Sequence, residues 1–465
     1  MTERAFAAPA GDDSPFTRIA RVGIAGTLLF EAGLLDGDVH RRPDAWTAVA
    51  VVVLVAVALV LLLQAVRGGT AEVSSGVSRA TWRAERSLWI VVSAAALIGL
   101  VWAVDPPRAS LGDVTRYRND AIALNECGAR LVLGARNPYT DFDLGACYRD
   151  LDLGPDRTTP LRAGRFAQLA HYPLDSELEA AWADVGARRD SREFVGRLSY
   201  PALTVLLVAP FTRLGWDPNA LHLAFLYGAF ALVTLRASAV LRPFVLTGLF
   251  GAICLTAFTA GGSSDLLYAL PLVAAWLWRE HGWSGVLLGV ALATKQLAWF
   301  FVPYLLLAVA TERGSREAVR RLGLATGVFA VANAPFIVHD PAAWFAGVFT
   351  PLVANTFPLG SGLVLLGTSG AIPMPPSSVL IVLTIAAEIT ALTWAFRARR
   401  TSPELGTVLA LAPLFFATRS LFSYFFLIPL FAMAGIARMR WPGLTSRAAR
   451  ATGALTPFVS TERSR

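Results

Sequence analysis

The stretch Ala45-Trp-Thr-Ala-Val-Ala-Val-Val-Val-Leu-Val-Ala-Val-Ala-Leu-Val-Leu-Leu-Leu-Gln-Ala-Val66 decides the fold, and within it only Thr47 and Gln64 are polar. The hydrocarbon core of a bilayer takes about 20 consecutive apolar residues in a helix. Inside that core every backbone N–H and C=O needs an internal partner, which leaves helices and closed barrels as spanning structures. Barrel strands alternate lipid-facing apolar residues with lumen-facing polar ones. This stretch does not alternate, so it reads as a membrane-crossing helix.

Outward from it the pattern recurs. Of 465 residues, 55% are hydrophobic and 16% charged, and the mean hydropathy is +0.53. Soluble globular chains are less apolar than this. Apolar segments lie near 17–36, 45–66, 88–104, 200–214, 218–235, 240–260, 264–279, 283–311, 322–338, 377–396, 404–418 and 421–437. The expected fold is an all-α integral membrane protein, a bundle of about twelve crossing helices with a large outer loop after the third. Residues 1–104 hold the first helices, 105–199 the loop, 200–437 the main bundle and 438–465 a basic tail. Arg18 and Arg21 precede a short apolar run broken by Glu31, with no small-residue cleavage site after it. That start reads as a weak first crossing rather than a cleaved signal. No internal repeat or low-complexity segment stands out.

Lys plus Arg number 41 against 33 Asp plus Glu, yet Lys295 is the single lysine. Arginines in short cytoplasmic loops orient membrane proteins, and that accounts for the basic excess. No basic patch is interleaved with aromatics, so nucleic acid is not an expected partner. Arg67, Arg79, Arg83 and Arg86 crowd one connection. Arg313, Arg316, Arg320 and Arg321 crowd another, and Arg397, Arg399 and Arg400 a third, ahead of the basic tail. All four belong on the cytoplasmic side, which turns 105–199 and 339–376 outward. Counting 283–294 and 296–311 as separate crossings would strand one cluster on the wrong side. One long, broken crossing from Trp283 to Ala310 restores the parity and is the reading adopted. Reassigning a short segment around 200–235 is the other repair.

The stretch 105–199 holds 15 of the 33 acidic residues and 13 arginines. Structureless loops of such length are uncommon and usually functional. A helical pattern with Ala121, Leu124 and Leu131 on one side and Gly128 between them stops near Gly134. It reads as a helix lying at the membrane surface. Cys127 and Cys147 share this oxidising side, where they either pair or remain two thiols; Cys254 reads as core. No Cys/His cluster has metal-ligand spacing.

Asp113, Arg116, Tyr117 and Asp120 recur at helical spacing and, in a helix, share one face. A carboxylate there, flanked by arginine at a membrane mouth, either accepts a proton from a substrate hydroxyl or belongs to a solvated face. Lys295 sits amid apolar helix, where a cation is costly and usually functional. It is either a phosphate contact or a snorkelling helix end. Arg419, at the junction of the last two helices, is a second cation for an anionic group or an interfacial anchor. Asp265 is an N-cap or a site residue. His339 and Asp340 read as helix punctuation. There is no P-loop, nucleophile elbow or HExxH.

Asp113-x-x-x-Tyr117, an Ala-rich helix, and then Gly134-Ala-Arg-Asn-Pro-Tyr139 resemble the first outer loop of glycosyltransferase family 87. These are polyprenol-phosphate-mannose-dependent mannosyltransferases of the GT-C superfamily. Leu198-Ser-Tyr-Pro201 resembles the family's Tyr-Pro-Pro element, with Ala202 for the second proline. Gly289-Val-Ala-Leu-Ala-Thr-Lys295 resembles its helix ending in lysine, with Gln296 for the usual proline. Arg419 to Phe426 resembles its late aromatic segment. The resemblance runs from about 88 to 437, and the insertion from Thr140 to Arg197 departs from it. It implies a GT-C-like bundle in the plasma membrane with its site facing outward. It also implies inverting transfer of a sugar, mannose first, from a polyprenyl-phosphate donor to a lipid-linked or glycan acceptor of the cell envelope. Asp113 would be the base. Arg116, Tyr117, Asp120, Asn137, Tyr139, Tyr200, Lys295 and Arg419 would bind substrate. The resemblance names no certain cofactor, and whether a divalent metal joins the leaving phosphate stays open. A multi-pass transporter or lipid flippase is the rival reading.

Overall fold

The computed structural model describes residues 14–41, 44–68, 79–104, 117, 120–169, 171–185, 192–259, 265–350, 354–439 and 441. It is a helical bundle with a polar domain at one end. The helices are α1 (Pro15–Arg41), α2 (Ala45–Val66), α3 (Arg79–Val104), α4 (Asp120–Leu133), α5 (Leu144–Asp150), α6 (Asp175–Val185), α7 (Leu203–Arg213), α8 (Pro218–Arg236), α9 (Arg242–Gly251), α10 (Ile253–Thr259), α11 (Leu266–Leu277), α12 (Ser284–Thr294), α13 (Val302–Arg313), α14 (Ser315–His339), α15 (Pro341–Val348), α16 (Val364–Thr368), α17 (Ser377–Ala398), α18 (Gly406–Leu409) and α19 (Ile428–Arg438). The decisive stretch is α2 to the residue. Asp44 caps it, its carboxylate accepting from the Thr47 N–H at 2.7 Å.

Five helices are long and apolar enough to cross a membrane, and six if α9 and α10, bent by 56° at Ala252, count as one span. By length and composition this is fewer than the twelve expected. The other apolar segments are cut into short helices and 3-10 turns, such as Gln296–Phe301 and Ala412–Phe416. Helix α1, with Arg18, Arg21, Glu31 and Asp36, also falls outside the set.

The arginine-rich connections gather at one end of the bundle. Buried Arg18 donates to the Arg67 carbonyl at 2.6 Å, the Gly68 N–H donates to Ser402 Oγ at 2.8 Å, and Arg438 pairs with Glu312 at 3.1 Å. Arg279, also buried, bridges Glu312 at 2.6 Å and Glu404 at 2.8 Å. Arg236 reaches Glu280 at 2.9 Å.

These pairs overturn the single broken crossing from Trp283 to Ala310. Arg279 and Glu312 stand just outside its two ends and touch, so the chain goes out along α12 and returns along α13. Gly285 and Gly289 fix the direction. A Cβ at either would strike α14 backbone, at Arg321 and at Ala325, so α12 runs alongside α14 in close, small-residue contact. Helix α7, eleven residues long, packs on α4, and α8 then runs to the arginine end, where Arg236 pairs with Glu280.

The polar domain, 120–199, has its own core of Ile122, Leu124, Cys127, Leu144, Tyr148, Phe166, Leu178, Phe194 and, from the later chain, Phe357. Cys127 and Cys147 are joined as a disulfide. Helix α4 is not a surface helix: residues 121–129 are all buried, with Gly128 against Val205 and Leu198. It forms the floor of the domain on the bundle.

Candidate functional site

Asp120 opens α4, where a carboxylate suits the helix dipole. The Thr159 hydroxyl, from the insertion, donates to Asp120 Oδ2. Burial pushes the carboxyl above its ordinary range, while Thr159 and the charges of Arg419 and Lys295 act against that shift. Two cations distant in sequence therefore act on one carboxylate.

Lys295 ends α12 in an extended conformation. Its ammonium pairs with the Asp265 carboxylate and lies 4.9 Å from the centre of the Tyr200 ring, a cation–π distance. Asp265 is 1% exposed and stands at the N-cap position of α11 without a side-chain capping hydrogen bond.

Arg419 and Ser420 form a two-residue strand, β2, parallel to β1 (Leu359–Gly360), with Leu359 opposite Arg419. Gly360 has φ +142°, and a Cβ there would enter the Ser420 backbone, so only glycine lets the strands approach. Arg419 Nε is buried without a hydrogen-bond partner. The expected junction of two helices is thus a strand pair, and its Arg419 is one of the two cations whose charge acts on Asp120.

Asn137 and Tyr139 tie the domain to the bundle. The Asn137 side chain accepts from the Tyr139 N–H at 3.0 Å and lies 3.1 Å from His339 Nδ1. Tyr139, buried, donates its hydroxyl to the Tyr200 carbonyl at 2.7 Å. Asp340 caps α15, accepting from the Ala343 N–H at 2.9 Å, as punctuation should. Asp113 and Arg116 lie outside the described residues. Tyr117 is not helical and donates its hydroxyl to Glu126, so it shares no helical face with Asp120.

The expected residues thus divide. Asp120, Tyr200, Lys295 and Arg419 converge; Asn137 and Tyr139 support them; Tyr117 turns to Glu126. Thr159, Glu126 and the Asp265 partnership had no signal in spacing. Among the described residues no three His, Cys, Asp or Glu side chains gather so as to hold a metal ion. The fold and site define a helical protein fit for a membrane, with a carboxylate at the start of its polar domain on which the charges of two cations act. Comparison with family models, curated proteins and solved structures gave no match.

Proposed function

We propose that the chain is a membrane glycosyltransferase. It transfers a sugar, mannose first, from a polyprenyl-phosphate donor to a glycolipid or glycan acceptor of the cell envelope, with inversion. The observation that carries this reading is the convergence of Asp120, Lys295 and Arg419 at one end of the bundle, opposite its arginine-rich end. With the arginine end cytoplasmic, the site opens outward in the plasma membrane. Twelve crossings of GT-C type then follow: α1, α2, α3, α8, the bent α9–α10 pair, α11, α12, α13, α14, α17, the run from Pro403 to Phe416, and the run from Phe422 to Arg438.

No nucleotide sugar is available on that side, whereas a lipid-phosphate sugar presents its anionic head there. Asp120 takes the proton of the acceptor hydroxyl. The acceptor oxygen attacks the anomeric carbon as the bond from that carbon to the phosphate oxygen breaks. The electron pair leaves with the polyprenyl phosphate, whose charge Lys295 and Arg419 meet. A base poised above the usual carboxylate range is better matched to this proton transfer at neutral pH. Asp113, at the matching family position, is the control carboxylate. Membrane lipids surround the bundle, and nucleic acid has no part.

Donor titration at saturating acceptor tests the reading. Lys295→Met and Arg419→Ala each raise the donor KM and slow transfer, and the double variant falls short of the sum because both act on one phosphate. Full additivity, or a defect confined to the acceptor, would leave the two cations as anchors.

A further inference from the structure

The insertion 140–197 reaches the site at a second point besides Thr159. A strap running from Asn355 to Gly360 connects the polar domain to Arg419. At one end Leu161 bridges Thr356, and the Arg162 N–H donates to the Asn355 carbonyl at 2.7 Å. At the other, Leu359 pairs with Arg419. Phe357, between the two anchors, is buried. The Tyr172 ring packs edge-on against it at 5.8 Å, and the Arg162 guanidinium lies 5.7 Å from its centre. Tyr172 is therefore held on the strap that carries the strand partner of Arg419.

The other tyrosines of the domain spend their hydroxyls on the protein: Tyr117 on Glu126, Tyr139 on the Tyr200 carbonyl and Tyr148 on the Arg157 carbonyl at 3.1 Å. Tyr172 is partly exposed, and among the described residues its hydroxyl has no hydrogen-bond partner. Both site charges are felt there. Burial pushes the phenol up to about 12, with Arg419 lowering it and Asp120 raising it.

We infer that Tyr172 is an acceptor-binding residue, its hydroxyl hydrogen-bonding a sugar hydroxyl of a saccharide acceptor beside Asp120. This rests on the glycosyltransferase reading. The base takes its proton from the acceptor, so the acceptor ring lies next to Asp120, while the lipid phosphate takes the two cations. A phenol both donates and accepts, which suits neighbouring sugar hydroxyls, and aromatic walls with a few placed polar groups are the usual make-up of a ligand pocket. The insertion that sets this chain apart from the family it resembles thereby takes part in choosing the acceptor.

The test uses the full chain in lipid nanodiscs, with octyl α-mannopyranoside as acceptor probe and labelled polyprenyl-phosphate mannose as donor. Tyr172→Phe keeps the ring on Phe357, so the thermal midpoint stays unchanged. It raises the acceptor KM about 5- to 10-fold, the loss of one hydrogen bond, and leaves donor KM and kcat within about twofold. Without donor, calorimetric binding of the probe weakens by the same factor. Unchanged acceptor KM and probe binding in Tyr172→Phe, alongside normal wild-type transfer, would overturn the inference and leave the transferase reading standing. Tyr172-dependent probe binding without any transfer would do the reverse. No probe binding and no transfer by the wild type would end both.

Discussion

At the scale of the residue, Asp120, the proposed base, carries a cost to folding. Its folded-state pKa is raised from the ordinary 3.8, chiefly by burial. The contribution of such a group to stability is fully present below its unfolded value and is lost as pH rises through the folded one. Asp120→Asn should therefore raise the thermal midpoint at pH 7, with the gain vanishing below pH 3.8. The same variant should cut turnover by about 10²-fold or more, whereas Asp113→Asn should leave most activity. In the wild type, rate should climb with pH through a value above the ordinary carboxylate range; a midpoint below it would contradict the assignment. Lys295 carries a different cost. Removing it takes the paired cation from the buried Asp265 carboxylate, and breaking one side of a buried pair costs about 3–5 kcal/mol. Lys295→Met should express poorly, and adding Asp265→Asn should restore folded yield without restoring donor affinity. Restored affinity would show that Lys295 serves only its carboxylate. Both cations stand out in sequence, Lys295 as a lone lysine in apolar helix and Arg419 in an aromatic run. Their partners did not, because the meeting of Lys295 with Asp265, or of Asp120 with Thr159, is made by tertiary packing that leaves no periodic trace.

At the scale of the element, α4 fixes where Asp120 stands, and the Cys127–Cys147 bond ties α4 to α5 across a separation of 20 residues. Closing a loop of that size is worth about 2–4 kcal/mol. Cys147→Ser, or reductant on the wild type, should lower the thermal midpoint and loosen the domain, with equal effects from the two. A drop with reductant that persists in Cys147→Ser would place the effect elsewhere. The start and end of α2 and the end of α4 near Gly134 were legible from hydropathy and from glycine. Two readings failed for physical reasons. Helix α4 has an apolar side and few charges, which suits a membrane surface as well as a domain floor, and only the packing of Gly128 against α7 decides between them. The run 283–311 is apolar throughout, so nothing in its hydropathy marks the reversal at Lys295; the contact of Arg279 with Glu312 does.

At the scale of the whole molecule, the grouping of the basic connections was legible: described residues of all four meet at one end. By length and composition five or six helices among the described residues qualify as spans, because the other apolar segments are broken into half-length helices and 3-10 turns that carry the same hydropathy as full spans. Orientation is testable apart from chemistry. Single cysteines introduced between 155 and 169 should react with a membrane-impermeant reagent in intact cells, and labelling only after rupture would invert the topology. The central claim is transfer rather than passage. Vesicles reconstituted with the wild type, labelled polyprenyl-phosphate mannose and cell-envelope lipid acceptors measure both at once. The account predicts label moved onto acceptor, one free polyprenyl phosphate released per sugar, and loss of both in Asp120→Asn. Donor that crosses between leaflets with no label on any acceptor would contradict it and make the chain a flippase.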